Sequence, residues 1–300
     1  MSIAKVIVLG GAGMLGHKMF QTLRERFDGV YCTVREDVPK AALGRIELLQ
    51  GNDVIPGIDV TDISKLEATL SSIRPSYLIN CIGLIKQRAT ATSPIHSIEI
   101  NSLLPHKLAQ MASKWDGHVI HFSTDCVFNG ERGSYSELDP SDAQDLYGKT
   151  KFLGEVAVVN ALTLRTSIIG RELTQHRSLL DWLLAQNHKA IRGYRKVIYS
   201  GVTTNHLADL VASIIQKHPS LSGLYQVASD PISKYDLLCL LREVYRLDMR
   251  IEPDDLETSD RSMKCDRLRQ AIAYRCPTWP FLAQQLAEDN TPYKKWIEWI

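Results

Sequence analysis

The sequence predicts an α/β fold, a doubly wound parallel sheet with a smaller α/β lobe toward the C-terminus, on three observations. A short apolar run, Ala4 to Leu9, leads directly into Gly10-Gly-Ala-Gly-Met-Leu-Gly16. Further short β-rich runs alternate with stretches of helical periodicity, the pattern of βαβ units with helices on both faces of a sheet. Tyr147-Gly-Lys-Thr-Lys151 sets a phenol and an ammonium four positions apart, on one face of a helix, where they suit acid/base chemistry at a carbonyl.

Taken in order, the first run reads as a buried strand and Gly16 to Phe27 as the helix that follows it. Glycines spaced as Gly-x-x-Gly-x-x-Gly let the chain turn tightly, approach a pyrophosphate and pack the helix on the sheet, with the anion at the helix N-terminus. This is a Rossmann-type turn, and it makes Gly10, Gly13, Met14, Leu15 and Gly16 cofactor-binding candidates. A secretory leader is not expected, because only Lys5 precedes the apolar run and no Ala-x-Ala-like site follows it. Strands are expected at Val30–Val34, Tyr77–Cys81, His118–Ser123, Leu162–Thr166 and Leu224–Val227, and helices at Ile63–Ile73 and Asn101–Trp115. After Gly170 the pattern loosens into helices at Ser178–Gln186, Thr204–Gln216 and Lys234–Tyr245 and a Pro- and Asp-containing stretch at Pro253–Asp260. The expected division is a dinucleotide-binding domain of residues 1–170 plus about 195–228, and a substrate-binding lobe of about 171–194 plus 229–300.

Composition narrows the function classes. At 44% hydrophobic, 23% charged and net charge +1, the chain has the balance of a globular protein and no footprint for nucleic acid or an anionic membrane. No apolar run approaches the length of a bilayer span. Six scattered cysteines with no Cys-x-x-Cys pair fit reduced thiols and neither a disulfide scaffold nor a metal site, so a cytoplasmic protein without metal is expected.

The chemistry-bearing residues fall at strand ends. After Tyr77–Asn80, the turn Cys81-Ile82-Gly83 suits a ribose or nicotinamide. After His118–Phe122 comes Ser123-Thr-Asp-Cys-Val-Phe128, where the Thr124 hydroxyl can hold a carbonyl oxygen beside the phenol. A tyrosine titrates near pH 10, and the Lys151 charge is expected to favour the Tyr147 phenolate. At the end of the second strand, Arg35 matches the 2′-phosphate of NADPH, while Glu36 and Asp37 leave NADH open.

Together the glycine turn, Asn80-Cys-Ile-Gly83, Ser123-Thr-Asp-Cys-Val-Phe128, Tyr147-Gly-Lys-Thr-Lys-Phe-Leu-Gly-Glu155 and Leu164-Arg-Thr-Ser167 resemble the extended short-chain dehydrogenase/reductase family. The nearest branch is similar to the dTDP-4-dehydrorhamnose reductases and their nucleotide-sugar-modifying relatives, over roughly residues 3–230. The resemblance implies a catalytic set of Thr124, Tyr147 and Lys151, with Tyr147 giving a proton to a ketone while hydride arrives from the nicotinamide. It implies that Lys151 also binds the nicotinamide ribose, that Asn101 supports the active-site backbone, and that Asp59 and Val60 touch the adenine. Substrate is implied at Thr124, Asp125, Cys126 and Arg165, the last with a strand-end salt bridge as its alternative.

The implied reaction is reduction of the 4-keto group of a nucleotide-linked 6-deoxyhexose for surface polysaccharide. Cys126 departs from the branch, whose members often carry an aromatic residue there. In enzymes resembling GDP-fucose synthase a cysteine at this offset serves epimerisation with a histidine, for which His176 and His188 are the candidates; the alternative is a small buried thiol. An epimerase or epimerase-reductase thus stays open, as does a non-catalytic regulatory subunit like the β subunit of methionine adenosyltransferase. Lys264, Arg267, Arg269 and Arg275 suit a diphosphate or a solvated face, and Trp279, Phe281, Trp296 and Trp299 suit packing or a homodimer contact.

Overall fold

The computed structural model describes residues 5–35, 45–84, 93–173 and 177–297. Its strands, in chain order, are β1 (Val6–Leu9), β2 (Val30–Thr33), β3 (Val54–Ile55), β4 (Tyr77–Asn80), β5 (His118–Ser123), β6 (Ala161–Arg165), β7 (Ile168–Ile169), β8 (Ala190–Tyr199), β9 (Val202–Thr203), β10 (Gly223–Gln226), β11 (Ile232–Ser233) and β12 (Arg250–Asp260). Seven of them form one sheet in the order β10-β6-β5-β4-β1-β2-β3, every pair parallel. Both faces of such a sheet are covered, so its strands are apolar throughout and do not alternate. Val6 and Val8 enter one buried cluster and Ile7 and Leu9 the other. The expected strands of this sheet fall within a residue or two of those observed; β3, two residues long, carries too little pattern to be read.

The chain winds outward from β1 to β3 and returns to β4 on the other side of β1. A crevice therefore opens beyond the carboxyl ends of β1 and β4, where ligands bind in open parallel sheets. The loops Gly10–Gly13, Cys81–Leu84 and Thr124–Val127 all emerge at that edge.

A second sheet, β11-β8-β12, carries helix Lys234–Val244, whose Leu237, Leu238 and Leu241 pack with Leu180, Leu183, Trp279 and Leu282. Strand β12 includes the Pro- and Asp-containing stretch. Its Pro253 pairs with Gly193 at the sheet edge and the register shifts between Asp254 and Thr258, which is how an edge strand accommodates proline. All of β8 lies in this small sheet, so the boundary expected near residue 195 cuts through a strand.

The chain then returns to the main sheet and closes on helix Met14–Arg24. The Lys18 ammonium pairs with Asp289 at 2.7 Å, both side chains buried, and His17 Nε2 accepts from the Tyr293 hydroxyl at 2.8 Å. The other His17 nitrogen donates to Gly13 O at 2.9 Å, so the ring is needed neutral, and burial pulls it down to about 4. No described helix is long and apolar enough to cross a membrane.

Candidate active site

The glycine turn is built by contacts that exclude side chains. Gly10 has φ +85°, a conformation that favours glycine, and a Cβ on Gly16 would lie 2.0 Å from Gly10 O. Helix Met14–Arg24 therefore starts directly against the turn. Gly13 is its N-cap and provides no side-chain cap, so the first-turn N–H groups face the crevice, free for an anion.

Helix Leu146–Leu153 carries Tyr147 and Lys151, and two further glycines bring it close. A Cβ on Gly148 would lie 2.2 Å from Cys126 O, and one on Gly154 would lie 1.9 Å from Asn101 O. The Tyr147 turn is thus pressed onto the Thr124–Val127 turn, and the helix end onto the π-helical stretch Ile98–Leu103. Asn101 joins the pieces: its Oδ1 accepts from Leu84 N at 2.9 Å, and its Nδ2 donates to Leu84 O at 3.0 Å and to Thr150 Oγ1 at 3.3 Å.

The buried Lys151 ammonium donates to Phe122 O at 2.5 Å and lies 3.5 Å from His121 Nε2. Asn80 sets that histidine's tautomer. Its Oδ1 accepts from Ile82 N at 3.2 Å, so its Nδ2 faces His121 Nδ1 at 3.1 Å and must donate, leaving the ring proton on Nε2. Burial disfavours the Lys151 charge and, against the pull of Glu155, brings it down to about 8.

Tyr147 hydrogen-bonds Thr124, and its phenol is pushed up, first by burial and then by Cys126. This corrects the expectation that Lys151 lowers it toward neutrality: in this buried setting the phenol stays protonated, the form a proton donor requires. Thr124 in turn donates to Asp125 Oδ1 at 3.1 Å and accepts from Cys126 N at 3.2 Å.

The comparisons with known proteins match this architecture. The family model described as "RmlD substrate binding domain" matches residues 4–273. The chain belongs to that family. A Streptomyces antibioticus protein named probable dTDP-4,6-dihydroxy-2-methyloxan-3-one 4-ketoreductase is 31% identical over 251 residues, 80% of this chain and 76% of its own length. The rat methionine adenosyltransferase 2 subunit beta is 22% identical over 81% of this chain and 72% of its own. The solved dTDP-4-dehydrorhamnose reductase of Bacillus anthracis, in complex with NADP, superposes with a TM-score of 0.77 at 19% identity, covering 95% of this chain and 98% of that one.

In this RmlD-family chain a cleft of about 420 Å³ runs from the glycine turn to the smaller lobe, within the size range of small-molecule sites. Gly13, Met14 and Leu15 line one end, Cys81, Ile82 and Gly83 the floor, and Thr124, Asp125, Cys126, Tyr147 and Lys151 the other end. Gly10, Gly16 and Asn101 stand behind that wall and shape it. Arg35, Asp59 and Val60 lie apart from the cleft but share the far end of the sheet: the Asp59 carboxyl is held below its ordinary range by its bonds with Thr61, with a further contribution from Arg35. Glu36 and Asp37 lie outside the described residues.

Arg165 is not among the residues lining the cleft. Its guanidinium is 2% exposed, pairs with Glu155 through Nε at 2.8 Å and Nη2 at 2.7 Å, and lies over the Phe128 ring; Ser123 donates to the same carboxylate at 2.6 Å. Its expected contact with substrate gives way to the strand-end salt bridge: Thr166 and Ser167, just past the end of β6, line the cleft, while the Arg165 side chain is drawn beneath them onto Glu155 and Phe128. His188 is 72% exposed and pairs with Asp248, away from Cys126, and His176 lies outside the described residues. Arg267 covers the Tyr225 ring and Arg269 pairs with Asp266 on an exposed helix; neither lines the cleft.

Four contributors were given no role from the sequence. Asn80 and His121 sit inside apolar strand runs, where a polar residue between Val, Ile and Phe was the available signal. Lys234 and Tyr199 come from the smaller lobe, with no motif around them, and line the cleft opposite Asp125.

Proposed function

We propose that this RmlD-family protein reduces the 4-keto group of a nucleotide-linked 6-deoxyhexose with NADPH, in the making of surface polysaccharide. The observation that carries the reading is the meeting of Thr124, Tyr147 and Lys151 at the end of a cleft that begins at an uncapped helix N-terminus. The residues fit the cofactor. The N–H groups of Met14, Leu15 and Gly16 face where a pyrophosphate would lie, Arg35 offers a fork for a 2′-phosphate, and Cys81–Gly83 with Lys151 would hold the nicotinamide ribose. NADPH supplies the hydride.

The chain's own share is position and a proton. Thr124 hydrogen-bonds the ketone oxygen and sets it against Tyr147, whose O–H donates its proton as that oxygen gains charge. Ketone, hydride and proton give the alcohol. The Lys151 ammonium lies behind, stabilising the phenolate that remains until solvent returns the proton.

The 31% identical relative named as a 4-ketoreductase supports this substrate class. The similarity to a methionine adenosyltransferase subunit raises a regulatory reading, which the assembled catalytic set disfavours. For epimerisation, Cys126 lies in the cleft with no histidine beside it among the described residues. The test is Tyr147→Phe, assayed by NADPH oxidation with dTDP-, UDP- and GDP-linked 4-keto-6-deoxyhexoses. Turnover is expected to fall by at least about two orders of magnitude with NADPH affinity retained, the scale of general acid catalysis; turnover near that of the wild type would refute the donor role.

A further inference from the structure

Lys234 breaks three local rules at once. It is the first residue of helix Lys234–Val244, where the positive end of the helix dipole disfavours a cation. It is half-buried, and burial lowers its ammonium. Its Nζ has no hydrogen-bond acceptor among the described residues; instead it lies over the Tyr199 ring, 5.0 Å from the centroid. Residues that contradict their local setting without a structural gain mark functional positions.

The surroundings show what the placement achieves. Gly193 of β8 makes room for the helix start: a Cβ there would lie 3.0 Å from Tyr235 Cα. The first turn of the helix is thereby pressed onto the sheet with Lys234 lining the cleft. The side chains that favour its charge are Asp125 and Cys126, from the Thr124 turn of the main sheet. Asp125 also feels Arg261 and hydrogen-bonds Thr124, which touches Tyr147. The ammonium thus reaches from the smaller lobe to the reacting centre with three donors unused, and beside it stand the carboxylate acceptor of Asp125 and the flat face of Tyr199. A cation, a carboxylate and a ring face make a set suited to a polyhydroxylated sugar.

We propose that Lys234 is a substrate-binding residue that donates hydrogen bonds to the oxygens of the hexose beside its ketone, holding the sugar against Tyr147 from the smaller lobe. The pyrophosphate of the nucleotide sugar is not its target, since its neighbours are those of the reacting centre. The inference rests on the reductase reading and assigns the recognition of the sugar ring to a residue outside the Thr124–Tyr147–Lys151 set.

The test compares wild type, Lys234→Met and Lys234→Arg on a dTDP-linked 4-keto-6-deoxyhexose, with separate binding of NADPH and of dTDP. Met keeps the stem and removes the charge, and kcat/KM is expected to fall about 10- to 100-fold, the scale of a hydrogen bond from a charged donor. Arg is expected to lose less than Met. Affinities for NADPH and dTDP should be unchanged, and the thermal midpoint of Lys234→Met should be equal or higher, because a cation leaves a helix N-terminus. An unchanged kcat/KM, a parallel loss of dTDP affinity, or a lowered thermal midpoint overturns the assignment. A wild type inactive on all dTDP-, UDP- and GDP-linked ketones removes the reductase reading itself, whereas an active wild type with an unaffected variant removes Lys234 alone.

Discussion

At the residue scale, the active-site chemistry is set by burial acting on two groups in useful directions. It keeps the Tyr147 phenol protonated and brings the Lys151 ammonium to about 8. The sign of the pH dependence follows. Lys151 carries its charge below about 8 and loses it as the pH rises through that value, while Tyr147 stays protonated across the same range. The kcat/KM of the reduction is therefore expected to hold on the acid side and to decline with unit slope above about pH 8, measured with NADPH in constant-ionic-strength buffers. A profile flat to pH 9.5 would contradict the assignment. The tyrosine–lysine spacing was legible because a four-residue offset fixes a shared helix face. The direction of the tyrosine shift was not, because spacing conveys proximity and says nothing about desolvation. Arg165 teaches the same lesson: its type and strand-end position suit a ligand or an ion pair equally, and only the three-dimensional approach of Glu155 decides.

At the element scale, glycines decide which pieces of chain touch. Gly16 sets helix Met14–Arg24 on its turn, and Gly148 sets helix Leu146–Leu153 on the Thr124 loop. For Gly148→Ala, the added Cβ meets a backbone oxygen and the Ala143 methyl at 2.6 Å, neither of which rotates away. The cost is expected to be about 1–3 kcal/mol of stability, with kcat reduced at least about tenfold because Tyr147 shifts from Thr124. Urea denaturation and steady-state turnover check it, and wild-type values in both would show that the close approach is not needed. The strands of the main sheet could be read because burial on both faces leaves continuous apolar runs. Strands β8 and β12 could not: they lie in a small, half-exposed sheet whose residues are mostly polar, and Pro253 argues against a strand until its edge position is known.

At the scale of the whole molecule, the smaller lobe lines one side of the crevice and the C-terminal segment braces the helix at its other end. Lys234 and Tyr199 line it from the lobe, while Asp289 and Tyr293 fasten the helix that begins at the glycine turn. The main sheet with its motif loops was legible because each motif obeys local geometry. The lobe's contribution was not, since Lys234 reaches the centre only through the packing of β8 against its helix. Hydride delivery to carbon 4 of a nucleotide-linked sugar can be followed by offering the full chain NADPH deuterated at the transferred position together with a dTDP-linked 4-keto-6-deoxyhexose, and reading the product by NMR. One deuterium at carbon 4 of the sugar is the expected result. Consumption of neither reagent, or a product with deuterium at any other carbon, would contradict the account.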